Sequence, residues 1–266
     1  MNLLTRSSLC FLLGALCASA PAQAQLNRGF ELNRYQPTAA GEWSFAVDHP
    51  WYSSTRYFAA GVTLNYAHQP LVTGTQDASG VFSQTQSLID HHFIAHVDLA
   101  GSFLDRVLIT ASLPIVLASS GDPQFATGAS VGDPRIGAKV RLYGQPYQSP
   151  FSLSVGLDLW VPLRAMTDSV TPTSSDQSVR VLPKLMAGGV WKKLLWSGTL
   201  GFQYRPEALT DAPAGFASSV GRAASELQFG LAAGYFDQER RFAVGPEVLL
   251  STAALGADSF SRFGTS

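Results

Sequence analysis

The chain has 266 residues, 46% hydrophobic and 14% charged, with a formal net charge of −1. This balance excludes a disordered chain and removes the general electrostatic attraction that nucleic-acid binding needs, so no nucleic-acid partner is expected. The length suits one β domain, and 24 glycines fit a protein of many strands, turns and small inward positions.

The N-terminus reads as a secretory leader over residues 1–24. Arg6 supplies the positive region, Leu9 to Leu16 the apolar region, and Ala22-Gln23-Ala24 a small-residue cleavage site, with the cut near Ala24. Both cysteines, Cys10 and Cys17, fall inside it, so the mature chain is expected to carry no disulfide. A lipid anchor on Cys17 is disfavoured because Leu16, not a small residue, precedes it. Beyond the leader no run reaches the roughly 18 apolar residues of a transmembrane helix.

Residues 25–41 alternate weakly, around Phe30–Tyr35. From Trp43 onward a two-residue period persists, and it predicts about ten strands. Trp43, Phe45 and Val47 form the apolar series of the first segment, and Phe58 to Tyr66 that of the second. The third runs through Phe93–Leu99, the fourth through Val107–Leu113. Ile136–Leu142 and Phe151–Val161 give the fifth and sixth, and Val179–Ala187 a weaker seventh. Trp196–Tyr204, Leu227–Tyr235 and Phe242–Leu250 complete the set. Pro114, Pro183 and Pro246 fall inside these segments and predict bulges or strand ends, since proline withholds a ladder N–H.

The clearest hairpin is Val131–Leu163. Ile136, Ala138, Val140 and Leu142 alternate with Arg135, Gly137, Lys139 and Arg141. One face is apolar and the other charged. A soluble sandwich would bury the apolar face; a membrane barrel would turn it to lipid and the polar face to the lumen. The connections favour the barrel. Links after odd-numbered segments are short, as in Ser102–Arg106 and Gly144–Pro150, whereas those after even-numbered segments are long, as in Gln69–Ser87, Ala118–Ser130, Arg164–Gln177 and Pro206–Arg222. Short turns on one rim and long loops on the other characterise outer-membrane barrels. Trp43, Tyr66, Trp160, Trp196, Tyr204 and Tyr235 lie toward segment ends, where interfacial girdles belong.

The expected fold is therefore all-β: an antiparallel transmembrane β-barrel of about 10–14 strands. Its body would span residues 42–252, with 25–41 as an N-terminal strand or a segment threading the lumen. With long loops outside, the first segment runs toward the periplasm. Residues 253–266 read as a loop-like tail with no return strand, an apparent C-terminal truncation.

FELNRYQPTAAGEW (30–43), VGDPRIGAKVRLYG (131–144), GFQYR (201–205) and VGPEVLLST (244–252) together resemble the N-terminal barrel module of large OmpA-family proteins. The GDPRIGAKVRLYG stretch is also similar to outer-membrane transporters associated with phenol-degradation pathways. The resemblance implies a Gram-negative outer-membrane location, outer-membrane lipid as the surroundings, and a structural, envelope-tethering or passive-transport role. Peptidoglycan is implied as a partner only through domains that these residues do not include.

Chemistry is sparse. His91, His92 and His96 invite a metal reading, but His92 and His96 share a strand face about 13 Å apart, too far for one metal ion. No nucleophile elbow marks a hydrolase, and GDPQFATG (121–128) lacks the lysine of a phosphate-binding loop. Catalytic residues, cofactors and metal ligands are not expected, nor is an enzyme. The functional candidates are the charges that parity points into the lumen: Asp98, Asp133, Arg135, Lys139, Arg141, Asp158, Arg180, Lys184, Arg205, Glu226 and Glu247. They would form either an ion-pair lattice or the lining of a passive channel for small solutes. A soluble secreted sandwich that binds a ligand is the remaining alternative.

Overall fold

The structure, a computed structural model, describes residues 31–51, 58–76, 82–123, 125, 128–167, 170–171, 173–176, 178–206, 225–236, 243–253 and 263–265. Their strands are β1 (Phe58–Gln76), β2 (Phe82–Phe103), β3 (Val107–Gly121), β4 (Ser130–Val131), β5 (Arg135–Tyr143), β6 (Ser152–Trp160), β7 (Arg180–Trp191), β8 (Leu194–Gln203), β9 (Glu226–Phe236), β10 (Ala243–Val244), β11 (Glu247–Ala253) and β12 (Phe263–Thr265). All belong to one sheet in the order β1-β2-β3-β5-β6-β7-β8-β9-β11-β12, with β4 on β3 and β10 on β9. Every pairing is antiparallel and sequence neighbours lie side by side, as hairpin connections require. The sheet curls into a half-barrel, and no helix occurs among the described residues.

The alternation in the sequence becomes an inverted partition between the two faces. Along β5, Arg135, Gly137, Lys139 and Arg141 are buried while Ile136, Ala138, Val140 and Leu142 are exposed. Ile136 is 51% exposed and Arg135 only 8%. Register carries this across the hairpin: Gly137 faces Asp158, and Lys139 faces Gly156, so charged side chains are set against small partners on the inner face. Gly137 is required there, because a Cβ would lie 2.4 Å from both Asp158 Oδ1 and Thr110 Oγ1.

Short turns gather at one rim. Leu104 and Asp105, both at positive φ, close β2 onto β3, and Trp191 pairs with Leu194 across a two-residue turn between β7 and β8. The opposite rim differs from expectation in one place. Residues 69–87 do not form one long loop: β1 and β2 stay paired out to Gln76 and Phe82, through register shifts beginning after His68, where Gln69 takes φ 46°. Gln84 and Gln86 on this extension of β2 are exposed.

Each strand proline lies at an interruption. Pro114 faces the break between β4 and β5, where Gly132 N–H donates to its carbonyl at 2.8 Å. Opposite Pro183 the β7–β8 ladder lapses and resumes as the Val181–Tyr204 bridge. Pro246 separates β10 from β11.

Two expectations need correction. Trp43, Phe45 and Val47 do not form a strand; residues 31–50 have none, and they run along the concave face of the sheet. Their alternation serves a different contact, described below. Trp43 and Trp160 are not girdle residues either. Trp43 packs on His49 and Trp51 inside the curl, with ring centroids 5.7 and 6.5 Å away. Trp160 is 1% exposed on the inner face, beneath the Arg180 guanidinium at 5.0 Å. Tyr66, Trp196, Tyr204 and Tyr235 do point outward, joined at the short-turn rim by Phe58, Phe103, Tyr143, Phe151 and Trp191. The leader, residues 25–30, most of the 206–222 link and most of the 253–266 tail lie outside the described residues.

Candidate functional site

The site is the concave face together with the segment that crosses it. Residues 31–51 descend from the long-loop rim, where Glu31 meets Arg180, to the short-turn rim, where Trp51 Nε1 donates to Ser152 Oγ at 3.2 Å. Trp51 packs there with Val190, Leu195 and Phe236. Midway, Ala39 and Ala40 seat against Ala100 and Leu108. Small and apolar side chains thus fill the space between charged partners.

Three carboxylates and two guanidiniums assemble at the long-loop rim. Arg180 Nη2 contacts Glu31 and lies 3.3 Å from Asp133 Oδ2, its Nε lies 2.7 Å from Asp176 Oδ2, and Arg205 Nη2 lies 3.3 Å from the same oxygen. Asp133 also accepts the N–H of Leu163 at 3.1 Å and of Asp176 at 2.9 Å, and the Ser175 hydroxyl. Burial pushes the carboxyls of Glu31 and Asp133 above their ordinary range, Glu31 to about 7 despite the pull of Arg180. Carboxylate oxygens of Glu31, Asp133 and Asp176 lie within 4.8 Å of one another, a spacing that fits a metal ion. Arg180 already occupies the position such a cation would take.

A second group lies deeper. Lys184 Nζ is 2.7 Å from Asp158 Oδ2 and also contacts Asp48. The Asp48 carbonyl accepts the hydroxyls of Ser197 at 2.7 Å and Thr199 at 2.8 Å. Lys139 Nζ lies 3.2 Å from Glu42 Oε1 and donates to the His49 carbonyl at 2.7 Å. Arg135 donates to the Pro37 carbonyl at 2.5 Å, and Arg141 to the Asp105 carbonyl. On β11 the Glu247 carboxylate accepts three successive backbone N–H groups, from Phe45 at 2.8, Ala46 at 2.9 and Val47 at 3.0 Å.

Of the residues singled out by parity, Arg135, Lys139, Lys184, Arg180, Asp133, Asp158, Arg205 and Glu247 are brought into these groups. Glu226 pairs at 3.2 Å with the largely exposed Arg34. Asp98 stands apart: it is buried opposite Ser112 and forms no ion pair among the described residues. Asp133 lies in the break between β4 and β5, and Arg205 just beyond β8, so neither is a strand residue. Sequence reasoning missed Glu31, Glu42, Asp48, His49 and Asp176. All lie off the strands; only Asp48, set opposite Trp43, Phe45 and Val47, and Glu31, in the weak alternation of Phe30–Tyr35, fell in a periodic stretch.

Cavities of about 20 and 50 Å³ adjoin Asp48, Arg135, Asp158 and Lys184, enough for a few waters. No protein-family model and no curated protein matches this chain. Fold and site together define an all-β, antiparallel half-barrel whose charged concave face is filled by the chain's own N-terminal segment.

Proposed function

We propose that this chain is an outer-membrane β-barrel protein with a structural, envelope role, filled by its own residues 31–51. The inverted partition carries the proposal. Val62, Leu64, Ile136, Leu157, Leu200 and Leu231 are exposed across the sheet, while Lys139, Asp158 and Arg180 are buried. An outer face on which apolar side chains recur from strand to strand is disfavoured in water, whereas lipid satisfies it. Strands β5 to β9, of 9, 9, 12, 10 and 11 residues, suit a tilted crossing of a bilayer.

Two of the four stretches that carry the resemblance to the OmpA-family barrel module, 30–43 and 131–144, dock on each other through Arg135 with Pro37 and Lys139 with Glu42. In this reading the leader is removed near Ala24, the protein resides in the outer membrane of a Gram-negative bacterium, and the short-turn rim faces the periplasm. Lipid is the direct partner, and peptidoglycan is engaged only through domains outside these residues. The protein performs no catalysis.

Cell fractionation combined with heat-modifiable gel mobility tests this. The protein should partition with outer membranes and migrate faster when unheated; a mature chain that stays in the aqueous phase without detergent overturns the proposal in favour of a soluble binding protein. Planar bilayers separate the two membrane roles. A structural barrel gives no conductance steps, whereas steps whose ion selectivity shifts in Lys139→Glu or Arg141→Glu would establish a passive channel instead.

A further inference from the structure

Three rings stand together on the outer face of the β1–β2 hairpin, where the apolar run Phe58, Ala60, Val62, Leu64 ends. His68 and His91 face each other directly in the antiparallel register. Their ring centroids are 5.4 Å apart, with planes inclined by 36°. The Tyr66 hydroxyl is hydrogen-bonded to His91 Nδ1 at 2.7 Å, and its ring stacks on His91 at 6.0 Å. All three side chains are exposed. His68 makes no hydrogen bond among the described residues.

We propose that His68 and His91 form a binding site for a divalent transition-metal ion of the zinc class. With Zn–N bonds of about 2.0–2.1 Å, each ring centre sits roughly 3.2 Å from the metal, and a tetrahedral angle then separates the two centres by roughly 5.2 Å. The observed separation of 5.4 Å matches that span. With the proton on Nδ1, His91 donates to the Tyr66 hydroxyl oxygen and keeps the Nε2 lone pair for the ion, the arrangement by which an outer partner orients a metal-bound imidazole. Two coordination positions stay open to water or an added ligand.

The other paired histidines do not compete for this role. His92 and His96 lie on the inner face, His92 Nδ1 3.3 Å from Ser119 Oγ and His96 Nε2 3.1 Å from Asn33 Nδ2. His68 and His91 are 23 positions apart in the chain, and only the strand register brings them together. The site does not rest on the membrane proposal, since it needs the hairpin alone.

Zinc chloride titrated calorimetrically into the untagged, folded chain tests it. One ion per chain should bind with micromolar affinity. His68→Ala and His91→Ala should each weaken binding at least about tenfold, Tyr66→Phe several-fold, and His92→Ala not at all. Far-UV circular dichroism and protease resistance establish that each variant is folded. Zinc uptake unchanged in both His68→Ala and His91→Ala, or no uptake by the unaltered chain at millimolar zinc, overturns the site and leaves the rings as a stack.

Discussion

Glu247 on β11 accepts a hydrogen bond from the backbone N–H of Phe45 at 2.8 Å, and its other oxygen takes the N–H groups of Ala46 and Val47. One carboxylate thus satisfies three consecutive donors of a segment that has no strand partner. Glu247→Ala leaves them without an acceptor, and the variant should lose roughly 2–4 kcal/mol of stability. Denaturant unfolding of the refolded protein measures this. Glu247→Gln, which keeps one good acceptor, should lose less; equal stability of all three proteins would show that the segment is not held there.

Lys184 is the cation on which Asp158 and Asp48 both depend. Replacing it by methionine keeps the stem and leaves two buried carboxylates facing each other, which should destabilise by about 3–5 kcal/mol. Combining Lys184→Met with Asp158→Asn should recover part of that loss, because one of the stranded charges is gone. A double-mutant cycle by denaturant unfolding checks the sign of the coupling.

The rim cluster predicts a pH dependence. Glu31 titrates at about 7 when folded and near 4.5 when exposed, with burial as the main cause. The folded state therefore holds the proton more tightly. Its contribution to stability is full below about pH 4.5 and declines as pH rises to about 7, by something on the order of 3 kcal/mol. Glu31→Gln cannot ionise and should flatten that part of the profile. Parallel profiles for the two proteins, measured by guanidinium unfolding across the window, would refute the assignment.

Val140 lies on the outward face of β5, opposite Val155 in the ladder. In a bilayer, Val140→Arg should cost about 2–4 kcal/mol, the usual penalty for arginine near the midplane of a barrel wall. On a water-facing strand the same change should be worth less than about 0.5 kcal/mol. Folding into vesicles, compared with the unaltered chain, distinguishes the two outcomes.

The strand pattern was legible because a period of two assigns faces without knowledge of neighbours. Arg135, Lys139 and Asp158 could be placed on the inner face for that reason, and Ile136 and Val140 on the outer. Trp160 shares the parity of Asp158 and is buried with it, although its position near a strand end suggested a girdle. The partners of the charges were not legible. Lys139 meets Glu42 from 97 residues away and Arg180 meets Glu31 from 149, and the acidic partners sit in coil. Trp43, Phe45 and Val47 alternate as a strand would, but what fixes them is a carboxylate on β11 rather than a ladder.

The distance between Val47 and Glu247, 200 residues along the chain, also governs time. Residues 31–51 have partners on β5 early, in Arg135 and Lys139, but their contacts with Lys184, Ser197 and Glu247 must wait until β7, β8 and β11 exist. The concave face is therefore completed only when most of the sheet is present. Contacts of such long range make assembly slow. During that wait the chain presents an unfilled charged trough on one side and bare apolar residues on the other, the interval in which it most needs protection from its own kind.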